Sequence, residues 1–475
     1  MTGALDDTAT VDDAGNPQAA FAQMIAGTCF EDLPPTAVER AKVFVLDTLG
    51  VGLAGTTGVC AAAIADAVAG WGAGDEARLW LDGRRVPAGS AALANAYFIH
   101  CLEYDCVHEA AVVHAMAPVL SAALAFAERR ARDGRPVSGQ QLITGLALGV
   151  DLAASLGMAA REPMRFFRPA TAGAFGATAA LAHLAGFDVA KTENALGLVY
   201  GQISGTLQPH LEGSPLLALQ MGFNARAALQ ACDLAEAGLV GPHDAICGRY
   251  GYLRLFENDA FDLAPIRAVT GGGPDKPWRI AELSHKPFPS GRLTHGVVDG
   301  LRRLQAEHGF ATADVEKVTV LVPPLVHRLT GRPDRPEPDE TYARLCLPFV
   351  AGVFLARGRV DVPDFRGAAL TDPAVHELAA RVEVVPDDRL DPNAITPQTV
   401  RVQLADGCTL EVTLAHVYGH PQAPLSRAEQ LDKFRRCCTH AARPPAPARI
   451  EALIETVERL ETEPDVGRLI DLMVA

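Results

Sequence analysis

The chain has 475 residues, 42 Lys+Arg against 57 Asp+Glu, a formal net charge of -15, and 49% hydrophobic but only 6% aromatic residues. The hydrophobic share excludes a largely disordered chain, which lacks the apolar surface needed to offset ordering entropy. The acidic balance excludes a general nucleic-acid binder, whose affinity comes from Lys and Arg neutralising phosphates.

In chain order, the N-terminus carries Asp6, Asp7, Asp12 and Asp13 where a secretory signal would have a basic and then an apolar region. No signal is expected there. Residues 21–30 predict a short amphipathic helix, and Leu33-Pro34-Pro35 opens another, with Val38, Ala41, Val45, Leu46 and Leu49 at helical spacing and Gly50 and Gly52 closing it. Ala/Leu-rich helices are predicted over 59–71, 88–102, 116–132, 139–156, 170–184, 189–207 and 216–237. Small residues such as Ala172, Gly173, Gly176, Ala177 and Ala180 let helices approach closely, which predicts a helix-on-helix core. Residues 169–187 are uncharged, yet too rich in Ala, Gly and Thr for a membrane span.

The composition shifts at Gly271-Gly272-Gly273-Pro274, read as a linker and not as a phosphate loop. Strands are predicted at 315–322, 382–385, 400–404 and 409–414, the last two joined by a hairpin at Asp406-Gly407, with helices at 342–356 and 374–381 between them. Helix returns from Arg427, with Ile450, Leu453, Ile454, Val457 and Leu460 on one face. The expected architecture is mainly α with an inserted α+β domain: a helical domain from 17–270 and 426–475, and a smaller α+β lid over 274–425. Ten scattered cysteines without a secretion signal fit reduced thiols in a cytoplasm, and the adjacent Cys437 and Cys438 read as a coincidence within a helix.

Three polar clusters stand out. His100-Cys101-Leu102-Glu103-Tyr104-Asp105-Cys106-Val107-His108-Glu109, followed by His114, directly follows an apolar run. Asp105 and His108, three apart, would share a helix face, where the carboxylate orients or charges the imidazole. Cys101, Cys106, His108 and His114 match no common zinc spacing, so no metal is expected. In the second cluster, 284–295, two prolines and a glycine fix a loop, and Thr294 is placed to cap a helix at His295. There Lys286, Arg292 and the helix N-terminus form a local anion site. The third, 161–171, sets three arginines before an Ala/Gly helix.

Five segments together resemble one family: FEDLPPTAVERAKVFVLDTLGVGLAGT, NAYFIHCLEYDCVHEAAVVHAMAPVLSAALAFAER, RPATAGAFGATAALAHLAGF, HKPFPSGRLTHGVVDG and ETYARLCLPFVAGVF. With the closing GHPQAPLSRAEQLDKF they run collinearly, over about residues 20 to 465, like the MmgE/PrpD family. That family includes 2-methylcitrate dehydratase, cis-aconitate decarboxylase and iminodisuccinate epimerase. The resemblance implies a large helical domain with an α+β lid, a homodimer, a small carboxylate substrate, and neither metal nor organic cofactor.

Carried over by position, Glu103 stands at the family's first aspartate, Tyr104 at its aromatic and Asp105 at its next aspartate, while Cys106 and Val107 replace an aspartate and a threonine. His108 and His114 hold histidine positions, and Arg168 takes the place of another histidine. Leu217 stands where a lysine is usual, with Gln220 nearby; Lys286 and His295 are retained, and His327 falls near a family tyrosine. The resemblance therefore implies Asp105, His108, His114 and Lys286 as catalytic residues. It implies Glu103, Tyr104, Arg168, Gln220, Ser290, Arg292, His295 and His327 as substrate-binding ones, with the arginines gripping carboxylates. The altered set points away from 2-methylcitrate and cis-aconitate as substrates. The leading expectation is a cofactor-independent lyase of the dehydratase or decarboxylase kind on a small di- or tricarboxylate. Two alternatives are an isomerase or epimerase acting by proton transfer beside a carboxylate, and a scaffold that binds a carboxylate without catalysis.

Overall fold

A computed structural model describes residues 15–273, 275–389 and 391–474; the acidic stretch 1–14 and Pro274 of the expected linker lie outside them. The principal helices of the first half are α1 (Pro35–Gly55), α2 (Ala88–His100), α3 (Met116–Arg132), α4 (Gly139–Ala159), α5 (Arg168–Ala185) and α6 (Leu216–Glu236). α1 does not close at Gly50 and Gly52 as predicted. It runs through both glycines because they face neighbours too near for a side chain: a Cβ at Gly52 would lie 2.4 Å from the Trp80 ring. The same logic pairs α4 with α5, where a Cβ on Gly149 would sit 2.6 Å from the Gly176 carbonyl, and one on Gly176 2.5 Å from the Gly149 carbonyl. Small residues here set the helix spacing, so a helical core can form with few aromatics.

α4 is the one described helix long and apolar enough to cross a membrane, and 94% of its apolar window is buried inside the protein. The uncharged 169–187 segment is mostly α5, likewise buried. The predicted helix over 189–207 ends early at Tyr200, and a short helix Gln208–Glu212 follows a bend.

The second half contains α7 (His295–His308), β1 (Val315–Val322), α8 (Leu347–Arg357), β2 (Val382–Pro386), β3 (Gln398–Leu404) and β4 (Thr409–Leu414). The helix predicted over 342–356 is broken, with Glu340–Arg344 separate from α8. Pro348 in the first turn of α8 lacks the N–H that a continuous helix would need there. The sheet order is β2-β1-β3-β4, with β2 parallel to β1 and the other pairs antiparallel. The β3–β4 turn carries Gly407 at φ 86°, a conformation open to glycine at little cost.

Two hydrophobic clusters result. One joins α1 to α6 with Phe434, Cys437 and Cys438 of α9 (Arg427–Thr439) and with Leu453 to Met473 beyond it. The other joins α7, α8 and the sheet. All ten cysteines are free thiols.

Candidate active site

Residues 101–115, between α2 and α3, are not helical, so the expected shared face of Asp105 and His108 does not exist. The chain leaves the helix at Glu103, whose φ is 51°. It is then pinned from two sides. Val107 and Ser284 exchange backbone hydrogen bonds of 3.1 and 2.8 Å, which brings the 284–295 segment alongside. From α9, buried Lys433 donates to the Tyr104 carbonyl at 3.0 Å, pairs with Asp47 at 2.7 Å and lies over the Tyr104 ring. The C-terminal helices thus hold the loop between α2 and α3 in place.

This folding puts Asp105 between two imidazoles. His100 Nδ1 lies 3.0 Å from both Asp105 oxygens, and a carboxylate only accepts, so Nδ1 carries the proton. His114 Nδ1 lies 3.3 Å from Asp105 Oδ2, an electrostatic contact without good hydrogen-bond alignment. The two rings stand edge to face with centroids 4.9 Å apart. Lys286 Nζ donates to Glu103 Oε2 at 2.8 Å and sits 4.0 Å from Asp105.

The surroundings push these groups apart. Burial lowers the His100 imidazole, but the Asp105 and Glu103 carboxylates outweigh it and leave it raised above 6.5. Burial and then the Lys286 ammonium lower His114 below 6.5, despite Asp105. Burial pushes the Glu103 carboxyl up, but Lys286 and the two imidazoles hold it down to about 2. Asp105 is likewise held well below its ordinary range by His100 and His114, against its burial. The two imidazoles are therefore pushed in opposite directions, His100 toward holding a second proton and His114 away from it, the condition that separates acid from base within one site.

His100, Glu103 and His114 open on a cavity of about 610 Å³ of empty space between the two domains, mouth included. Glu109, His210 and Arg292 also line it. His100, Asp105 and His114 each bring a ligand-type atom within 4.8 Å of the others, a grouping the cysteine-based spacing did not show. Positive charge reaches these carboxylates from Lys286, and Asp105 and Glu103 in turn favour a proton on His100.

Several expected residues are placed elsewhere. Arg168 is fully buried behind the wall, paired with Glu257 through Nε at 3.0 Å and Nη2 at 2.8 Å, so it does not grip a carboxylate in the cavity. His108 pairs with Glu282 at 2.8 Å, and its Nδ1 accepts from the Ala111 N–H, which makes it a loop fastener. Gln220 is spent on both backbone groups of Thr206. Tyr104 donates to the Pro287 carbonyl, and Ser290 pairs with Thr294. Thr294 makes no side-chain cap on α7. His295 contacts the Ser290 carbonyl at 3.1 Å, and His327 lies outside the cavity lining. Nor do Lys286 and Arg292 form an open anion site: each is held by a glutamate, Glu103 and Glu109.

Three titratable lining residues escaped prediction as site residues. His100 and Glu109 lay inside the polar cluster, and only the turn at Glu103 reveals that His100 meets Asp105. His210 had no local signal; Arg332 donates to its Nδ1 at 2.8 Å, and burial with that guanidinium lowers it to about 4.

The helical domain, the α+β domain and a histidine-carboxylate centre between them define the class. The chain matches the MmgE/PrpD N-terminal domain over residues 19–264 and the MmgE/PrpD C-terminal domain over 288–459, and it belongs to the MmgE/PrpD family. Among curated relatives, the cis-aconitate decarboxylase of Homo sapiens is 28% identical, over 96% of this chain and 94% of its own. The cis-aconitate decarboxylase of Mus musculus is 25% identical, over 96% and 92%. The cis-aconitate decarboxylase-like protein oryM of Aspergillus oryzae is 26% identical, over 97% of each chain.

Proposed function

We propose that the protein is a lyase that moves protons at carbon next to a carboxylate, expelling water or carbon dioxide. The observation that carries this is the His100–Asp105–His114 unit, two imidazoles on one buried carboxylate whose surroundings push them in opposite directions. In dehydration His114 takes the proton from carbon, the C–O bond breaks, and the departing hydroxyl takes a proton from His100 to leave as water. In decarboxylation the C–C electron pair stays on carbon, which receives its proton from His100. Asp105 steadies whichever imidazolium is present. The membership of decarboxylases among full-length relatives supports the lyase class. Epimerisation needs acid and base on opposite faces of one carbon, whereas these two rings share one carboxylate and lie 4.9 Å apart.

The expected pH dependence follows in sign. In dehydration His114 must be neutral, so kcat/KM falls as pH drops through its lowered value, below 6.5. His100 must be protonated, so kcat/KM also falls as pH rises through its raised value, above 6.5. A bell whose limbs bracket 6.5 is expected for the acid turned over fastest in a panel of carboxylates. A profile that rises to a plateau with no basic limb would remove His100 as the donor.

A further inference from the structure

The cavity wall is mainly hydrocarbon. Met164, Phe167, Leu207, Leu217, Leu329 and Ile395 line it, drawn from both hydrophobic clusters. Its charges are already matched in pairs. Every Arg292 donor is occupied: Nε and Nη2 on Glu109 at 2.9 and 2.7 Å, Nη2 also on the Val417 carbonyl, and Nη1 on the carbonyls of Tyr418 and His285. Lys286 is held by Glu103, Arg168 by Glu257, and Leu217 occupies the position where the family resemblance expects a lysine. Lining nitrogens not spent on protein partners include His100 Nε2, buried, without a hydrogen-bond partner and 3.6 Å from Glu103, and His210 Nε2, which carries the ring hydrogen because Nδ1 accepts from Arg332.

One substrate carboxylate can therefore be met at the histidine wall. A second or third would enter a buried apolar space, beside two glutamates, where no lining arginine or lysine is free of a carboxylate to receive it, and such desolvation is unfavourable. An alkyl group in the same space gains affinity with every methylene. We propose that the substrate is an amphiphilic acid, with its carboxylate at the histidine wall and an alkyl arm against Leu217, Leu329 and Ile395 where tricarboxylates carry further charge. This rests on the lyase reading of the same site and narrows it to a substrate class.

Isothermal titration of the full chain at pH 7 with butanoate, hexanoate, octanoate, succinate and cis-aconitate tests it. Affinity is expected to rise about fourfold per methylene along the first three, with octanoate binding more tightly than cis-aconitate. Leu217→Lys should shrink that preference and improve cis-aconitate; if this variant fails to fold, the slope on the unaltered protein decides. A flat chain-length series with cis-aconitate tightest would overturn the amphiphilic substrate and leave the lyase reading standing. Binding of none of the acids would overturn both.

Discussion

His114→Ala is expected to lower kcat by about 10²–10⁴-fold, the usual contribution of a positioned acid or base. His114 lines the cavity, and its Nδ1 is turned toward Asp105, which leaves Nε2 for the substrate. Its loss removes the base and also one of the two imidazoles that hold Asp105 ionised. Asp105→Asn should be comparably damaging for a different reason. The amide cannot stabilise protonated His100, so the His100 value falls and the basic limb of the pH profile moves to lower pH. Steady-state kinetics with a thermal melt on each variant separates this from unfolding. An unchanged kcat in His114→Ala would strip that residue of its role.

The second large effect concerns stability. Arg168 is 0% exposed and Glu257 2%, and Tyr252 donates to Glu257 Oε1 at 2.9 Å while contacting Thr171. Removing either charge leaves the other buried without its counter-charge, at a cost of about 3–5 kcal/mol. Arg168→Ala and Glu257→Ala should each lower the urea midpoint strongly. The double variant should cost much less than their sum, because no uncompensated charge remains. Had Arg168 gripped substrate, as its position in the sequence suggested, Arg168→Ala would raise KM and leave stability nearly untouched. Equilibrium unfolding and KM together distinguish the two.

The helices and strands were legible because their signals are local. The apolar spacing of 116–132 and the Asp406-Gly407 turn each state their own conformation, and both elements form where expected. Gly50 and Gly52 misled because a glycine that ends a helix and one that admits a neighbouring Trp80 look alike in sequence. The site was legible only as a neighbourhood. The cluster from His100 to His114 does build the centre, yet its partners are set by a left-handed Glu103 and by Lys433, which is more than three hundred residues away in sequence. His108 and His114 sit in the same motif, and only the fold sends one to Glu282 and the other to Asp105. Arg168 was read as a carboxylate clamp because Glu257, distant in sequence, cannot be paired with it from spacing alone.

The most direct measurement is proton exchange with solvent. The protein is incubated in D₂O with a panel of alkyl-substituted and unsubstituted carboxylic acids, and ¹H and ²H NMR follow the carbon next to the carboxylate. With the unaltered protein, deuterium should appear at the carbon that loses carbon dioxide, or, where water is lost reversibly, at the proton-donating carbon of the recovered acid. In His114→Ala and Asp105→Asn it should appear more slowly, in step with their loss of turnover. Decarboxylation that leaves no deuterium on the carbon that lost carbon dioxide, or exchange as fast in both variants as in the unaltered protein, would contradict a histidine pair moving protons at that carbon.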